Sequence, residues 1–205
     1  MSTTGDVTAV AYHFDPACPW TWRTSRWLVE VTGRLGLPLS YRAFELSDGA
    51  PLDALPDQHR EGARASRLFL RVVEAAHAQE DDEVIAAFYS GYGTALHDDK
   101  TSPSRELIET TLTEAGGQDY LAALDDASLD SAVAASRRAA QVFSGDDAGS
   151  PVIVLSTLDG QRGFFGPVLA PTPTGTDADR LWEVVTGFAA LTQVFEIKRR
   201  RDVHP

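Results

Sequence analysis

The chain reads as an α/β protein with a long all-helical stretch set into its middle, and three observations carry that reading. An apolar run at residues 8–14 is followed by a helical pattern and then a second alternating run, which makes a strand–helix–strand unit. Residues 57–144 are helical in pattern almost throughout. Strand signals return at Pro151-Val152-Ile153-Val154-Leu155, followed by a hairpin and a last helix.

The first helix is expected from Pro19 to Leu35, because Trp20, Trp27, Leu28, Val31 and Leu35 recur near helical spacing. Gly36 and Pro38 end it. Leu39-Ser40-Tyr41-Arg42-Ala43-Phe44-Glu45-Leu46 alternates as a second strand. In the helical block, Ala65, Leu68, Phe69, Val72, Val73 and Ala76 form one apolar face, and Val84, Ile85 and Phe88 begin another. Leu107, Ile108, Thr111, Leu112 and Ala115 form a third, with Ser102-Pro103 read as cap and first residue. A short helix is expected over residues 118–124, and Ser128 is read as the cap of a last one through Val133, Ala140 and Phe143. Breaks are expected at Gly91-Tyr92-Gly93, Asp98-Asp99 and Gly116-Gly117. Asp159-Gly160 marks a hairpin turn with Gly163-Phe164-Phe165 as partner strand, and Pro167, Pro171 and Pro173 make a stiff linker. Thr176 is read as the N-cap of the final helix, with a core face of Leu181, Trp182, Val185, Phe188, Leu191 and Phe195. Lys198-Arg199-Arg200-Arg201 is placed at its end, where cations suit the helix dipole.

Bulk properties narrow the function. The 205 residues suffice for one domain, or for one carrying a large insertion. A net charge of −12 repels phosphate backbones and anionic membranes, so neither nucleic acid nor membrane is expected as a partner. A single cysteine excludes an internal disulfide framework and a cysteine-cluster metal site. The histidines His13, His59, His77, His97 and His204 show no ligand spacing, so no metal is expected. Met1-Ser2-Thr3-Thr4-Gly5-Asp6 lacks the basic start and apolar run of a signal peptide, and a cytoplasmic protein is expected.

The one cysteine stands in Phe14-Asp15-Pro16-Ala17-Cys18-Pro19-Trp20-Thr21, between a strand and a helix. A lone cysteine is ordinarily a small buried hydrophobe. Here the context outweighs that reading, because a thiol at a helix N-terminus faces unpaired N–H groups and the positive end of the dipole. Such a position favours the thiolate and is expected to lower the thiol pKa, which makes Cys18 a nucleophile. Of Trp20 and Trp22, one is expected in the core.

The order strand, Cys-Pro-x-x helix, strand, helical block, Gly-Ser-Pro strand, hairpin, helix resembles the thioredoxin-like fold of the DsbA family, which carries a large all-helical insertion. On that resemblance residues 1–56 and 145–205 form the thioredoxin-like domain, and residues 57–144 the helical insertion domain. Phe14-Asp15-x-x-Cys18-Pro19-Trp20 and Trp22-x-x-x-x-Trp27 look more closely like the mycothiol-dependent nitroreductase branch. So do Gly149-Ser150-Pro151-Val152-Ile153, Phe165-Gly166-Pro167-Val168, and Leu181-Trp182 followed by Phe195-Glu196-Ile197-Lys198. The family pattern Cys-Pro-Trp-Cys is here Cys-Pro-Trp-Thr, so Thr21 replaces the resolving thiol and its hydroxyl is placed to support the charge on Cys18.

The resemblance further implies a cis Ser150-Pro151 peptide facing Cys18. Pro19, Trp20, Ser47, His59, Ser150 and Pro151 then fall at substrate-binding positions; Ser47 stands where the family often has Asn, and His59 near a family tyrosine. The implied activity is that of a monothiol oxidoreductase, either a disulfide reductase or nitroreductase-like. Cys18 would act on a small-molecule substrate, with mycothiol or another low-molecular-weight thiol as co-substrate. Two other readings stay open: a thiol-dependent isomerase or transferase acting on a small hydrophobic substrate, and a non-catalytic binding module. A homodimer is left open. Cys18, Thr21 and the Ser150-Pro151 turn are expected to meet at a cleft between the two parts, with Trp20 and residues near His59 on its walls.

Overall fold

The structure, a computed structural model, describes residues 7–203. In order it contains β1 (Val7–Phe14), α1 (Pro19–Leu35), β2 (Leu39–Ala43), α2 (Asp57–His77) and α3 (Asp82–Gly93). A π-helical turn (Thr94–Asp98) extends α3; then come α4 (Arg105–Glu114), a 3-10 segment (Gln118–Asp125) and α5 (Asp130–Ser144). The chain returns through β3 (Val152–Thr157) and β4 (Gly160–Phe165) to α6 (Gly175–Ala190). The sheet order is β2-β1-β3-β4. β1 runs parallel to β2 and antiparallel to β3, with Tyr12 opposite both Tyr41 and Ile153.

β1 lies between two neighbours, so its side chains are buried at its end, where Tyr12 and Phe14 are fully covered. The Phe14 ring lies 4.1 Å from that of Tyr89, and Phe69 stacks on Phe88 at 3.9 Å. The helical block therefore packs straight onto the sheet, and one apolar core runs through both. Pro19 opens α1, where a missing N–H leaves no bond unmade. Gly36 closes it in the left-handed region at φ 65°, which favours glycine.

Several boundaries differ from the sequence reading. β2 stops at Ala43; the Phe44 N–H makes one more bond, to the Phe14 carbonyl at 2.9 Å, and the Leu46 N–H then donates to the Asp15 carboxylate at 2.9 Å. Gly91-Tyr92-Gly93 is no break: α3 runs through it. Gly93 is there for packing, since a Cβ on it would sit 2.2 Å from the Trp22 ring. The cap of α4 is Ser104, whose hydroxyl accepts the Leu107 N–H, and not Ser102. Ser128 does not cap α5; its N–H and hydroxyl both donate to Asp126. The last helix starts at Gly175, whose N–H donates to Glu30 of α1 at 2.9 Å, so Thr174 and not Thr176 is its cap. It ends at Ala190, leaving Leu191 and Phe195 exposed and Lys198-Arg199-Arg200-Arg201 outside any helix.

Candidate active site

Cys18 is the N-cap residue of α1, in extended conformation at φ −84° and ψ 114°. Its C=O accepts the Trp22 N–H and its N–H donates to Asp15, both at 3.1 Å, so the thiol sits at the exit of β1 on the first turn of the helix. It is half-buried. Thr21 is wholly buried one turn on, and the Tyr12 hydroxyl donates to its carbonyl at 2.6 Å.

A polar floor lies beneath this turn. The Asp15 N–H donates to the Ser150 hydroxyl at 3.1 Å, and the Ser150 and Thr21 hydroxyls are 3.1 Å apart. The Thr21 hydroxyl also supports the Cys18 thiolate; when it donates there, Ser150, which accepts from Asp15, donates to Thr21. The Asp15 carboxyl accepts from Ala17 N–H at 2.9 Å, Leu46 N–H at 2.9 Å and the Ser66 hydroxyl at 2.5 Å. One buried side chain thus ties the β1–α1 turn to the β2–α2 connection and to α2. The Ser150-Pro151 peptide is cis, as the resemblance implies.

Electrostatics reverse one expectation. Cys18 is pushed above its ordinary value, not below it. Burial is the largest cause, and the Asp15 carboxyl adds to it, while the Thr21 hydroxyl and the N–H groups of Thr21 and Trp20 pull the other way. Burial also raises Asp15, against the three hydrogen bonds that hold it down. The cap supplies the donors the sequence promised, but desolvation outweighs them.

Beside the floor stands a looser wall. Trp22 is the buried tryptophan; its indole N–H donates to Asp98 at 3.1 Å, and it stacks on His97 at 6.0 Å. The His97 ring in turn bonds the Pro16 carbonyl at 2.8 Å. Trp20 is half-exposed between the Arg23 and Arg201 guanidinium groups, at 5.6 and 5.5 Å from its ring. Ser47 is turned to Glu45 and Arg67, to both of which it hydrogen-bonds. His59 is exposed on the first turn of α2, within reach of Gln58. That end of α2 does cross the site, since a Cβ on Gly62 would lie 3.5 Å from that of Ala17. Thr21 and Ser150 thus meet beneath the turn that carries Cys18 and Pro19, and Pro151 follows Ser150 through its cis peptide. Trp20 stands two residues along α1 from Cys18, and Ser47 and His59 make their hydrogen bonds to other residues.

Two surface cavities stand out among the described residues, and Cys18 lines neither. One, of about 450 Å³, is bounded by Trp22, Arg23, Arg26, Asp98, Pro171 and Val203 among others. The other, of about 330 Å³, lies between α2 and the start of α4 and includes Arg60, Arg64 and Arg105. The larger of the two opens one turn along α1 from Cys18. Asp15, Ser66, Tyr12 and His97 escaped the sequence reading as site residues. Asp15 was visible there as a motif letter, but its bonding partners come from distant segments.

A sequence model of the family described as "Rv2466c-like: Mycothiol-dependent nitroreductase Rv2466c" matches residues 17–199. The uncharacterized protein Rv2286c of Mycobacterium tuberculosis (strain ATCC 25618 / H37Rv) is 32% identical over 198 residues, covering 94% of this chain and 82% of that one. Among solved structures, the cytosolic disulfide reductase DsbM from Pseudomonas aeruginosa with GSH superposes at a TM-score of 0.56 with 20% identity, over 87% of this chain and 97% of that one. The probable DsbA oxidoreductase SCO1869 from Streptomyces coelicolor gives 0.54 with 20% identity, over 95% and 94%. At such identities the structures establish a DsbA-like thioredoxin fold. With that fold in place and a family match running from the residue before Cys18 nearly to the end of the chain, the protein belongs to the Rv2466c-like family of mycothiol-dependent nitroreductases.

Proposed function

We propose that the protein is a thiol-dependent oxidoreductase in which Cys18 is the nucleophile and a low-molecular-weight thiol, mycothiol by family, completes the cycle. The observation that carries this reading is the half-exposed Cys18 at the cap of α1, with donors from Thr21 and Trp20 at its sulfur. The site also fits an extended thiol ligand. Among the described residues the Ser150 backbone N–H and C=O have no hydrogen-bond partner, and the Ser150 hydroxyl is fixed by Asp15 and Thr21.

The chemistry balances with one protein thiol. The Cys18 thiolate attacks one sulfur of a substrate disulfide, the S–S bond breaks, and the departing thiolate takes a proton from water. A second exchange releases Cys18 as thiolate and leaves the substrate sulfur joined to the small thiol. One disulfide is consumed and one formed, so no resolving cysteine is needed. A thiol raised by burial is both a scarcer nucleophile and a poorer leaving group, so both exchanges are slowed.

Intact-mass measurement after incubation with oxidised mycothiol or glutathione disulfide tests this. A single thiol adduct, lost in Cys18→Ser, is expected. The upward push on Cys18 favours one other reading, an isomerase or transferase in which the site holds the thiolate of the cofactor and Cys18 does not attack. Tight binding of the reduced thiol with no adduct would select it. The cytoplasm, where small thiols stay reduced, is the proposed setting.

A further inference from the structure

The 450 Å³ cavity beside α1 has the size of a small-ligand site and an unusual charge arrangement. The protein is acidic, and most of its other half-buried arginines are matched to carboxylates: Arg42 to Glu74, Arg60 to Asp57, Arg67 to Glu45, Arg71 to Asp130 and Arg137 to Asp48, with Arg162 on β4 the exception among the described residues. Arg23 and Arg26 are also half-buried, yet neither makes an ion pair among the described residues. Arg26 lies 3.9 Å over the Trp22 ring and donates to the Ser25 and Ser90 hydroxyls at 3.2 and 3.1 Å. The Arg23 guanidinium makes no hydrogen bond there at all; it rests near Trp20. Asp98 also lines the cavity, where its oxygens accept the Trp22 indole N–H at 3.1 and 3.3 Å; among the described lining residues its single negative charge faces two guanidinium groups.

We infer that this cavity is a subsite for the carboxylate of an organic substrate, held by Arg23 and Arg26, with Trp22 and Pro171 flanking its apolar body. A guanidinium presents a planar fork that matches a carboxylate with two parallel hydrogen bonds. The position suits a substrate whose reactive end is at the thiol. Cys18, Trp22 and Arg26 follow one another at four-residue spacing on one face of α1, so the cavity begins about one turn, roughly 5.4 Å of rise, from the cap. The identification of the ligand as substrate rests on the proposed thiol chemistry; the anion site does not.

Calorimetric titration with 4-nitrobenzoate and with its methyl ester separates charge from shape. The acid is expected to bind at least about tenfold tighter than the ester, a difference of about 1.4 kcal/mol. Arg23→Gln and Arg26→Gln each remove most of that advantage, and Arg23→Lys restores part of it. Arg64→Gln, in the other cavity, is the control for bulk charge. Equal binding of acid and ester, or a loss in Arg64→Gln as large as in Arg23→Gln, overturns the inference. Cys18→Ser is expected to bind the acid as the parent does. If Cys18 forms no adduct with any disulfide while Arg23-dependent binding persists, the thiol reading falls and the anion site stands.

Discussion

The floor beneath Cys18 and the wall beside it are built by different means. Asp15, Thr21, Ser150 and Ser66 are buried and joined by hydrogen bonds, with the Asp15 carboxyl alone accepting three. Trp20, Arg23 and Arg201 are partly or wholly exposed and touch through cation–π contacts at more than 5 Å, with the irregular C-terminal segment completing the wall. A buried polar network has few alternative arrangements, because each broken bond strands a group away from water. Exposed aromatic–guanidinium contacts shift at small expense. The contrast assigns the roles: the floor holds the thiol in one geometry, and the wall is free to adapt to what binds.

The largest test of this contrast is Asp15→Ala. It leaves Ala17 N–H, Leu46 N–H and the Ser66 hydroxyl without their acceptor. A loss of about 3 kcal/mol is expected in urea denaturation. A loss under about 1 kcal/mol, the size of an average substitution, would mean the floor is no more constrained than the rest. Gly93→Ala comes next. Its Cβ would meet the Trp22 ring at 2.2 Å, and a thermal-melt loss of about 2 kcal/mol is expected from overpacking. Gly33→Ala, with nothing within 4 Å, is the matched control and should gain about 0.5 kcal/mol.

Thr21 reports on chemistry as well as stability. Thr21→Val removes the hydroxyl that lowers Cys18 and a hydrogen bond to Ser150. About 1 kcal/mol of stability is expected to go with it. The midpoint of iodoacetamide alkylation against pH should move upward from an already raised value, because the remaining causes are led by burial, which disfavours the thiolate. Thr21→Ser should hold the parent midpoint. An unmoved midpoint in Thr21→Val would detach the hydroxyl from the sulfur and break the proton order Asp15, Ser150, Thr21, Cys18.

What the sequence disclosed divides along the same line of local against distant causes. Pro19 opening α1 and Gly36 closing it are local chemistry and stand where the sequence put them, and the hairpin turns one residue earlier than Asp159-Gly160, at Leu158-Asp159, with Gly160 opening β4. Gly93 misled because its reason is Trp22, far away in the chain, rather than a turn. The apolar pattern of the last helix runs on to Phe195 without a stop signal. The helix nonetheless ends at Ala190, after Trp182 has met Trp27 and Phe188 has met Phe164. Among the described residues after Ala190 none is buried. The Cys18 pKa failed for a similar reason. Capping groups are written beside the cysteine, whereas its burial and the carboxyl of Asp15, fixed through Leu46 and Ser66, are products of the whole fold.

Arg201→Ala is the smallest expected effect and the sharpest check on the wall. Its guanidinium lies 5.5 Å from the Trp20 ring, opposite Arg23 at 5.6 Å. An exposed pair of this kind contributes about 0.5–1 kcal/mol, and releasing the C-terminal segment returns conformational entropy that offsets part of it. Net stability is therefore expected to change by less than about 0.5 kcal/mol. Acrylamide quenching of tryptophan fluorescence should still increase, since Trp20 loses one of its two covers while Trp22, Trp27 and Trp182 stay buried. Should Arg201→Ala destabilise the fold as much as Thr21→Val does, the wall would be structural in the same sense as the floor. The adaptable role assigned to it would then be wrong.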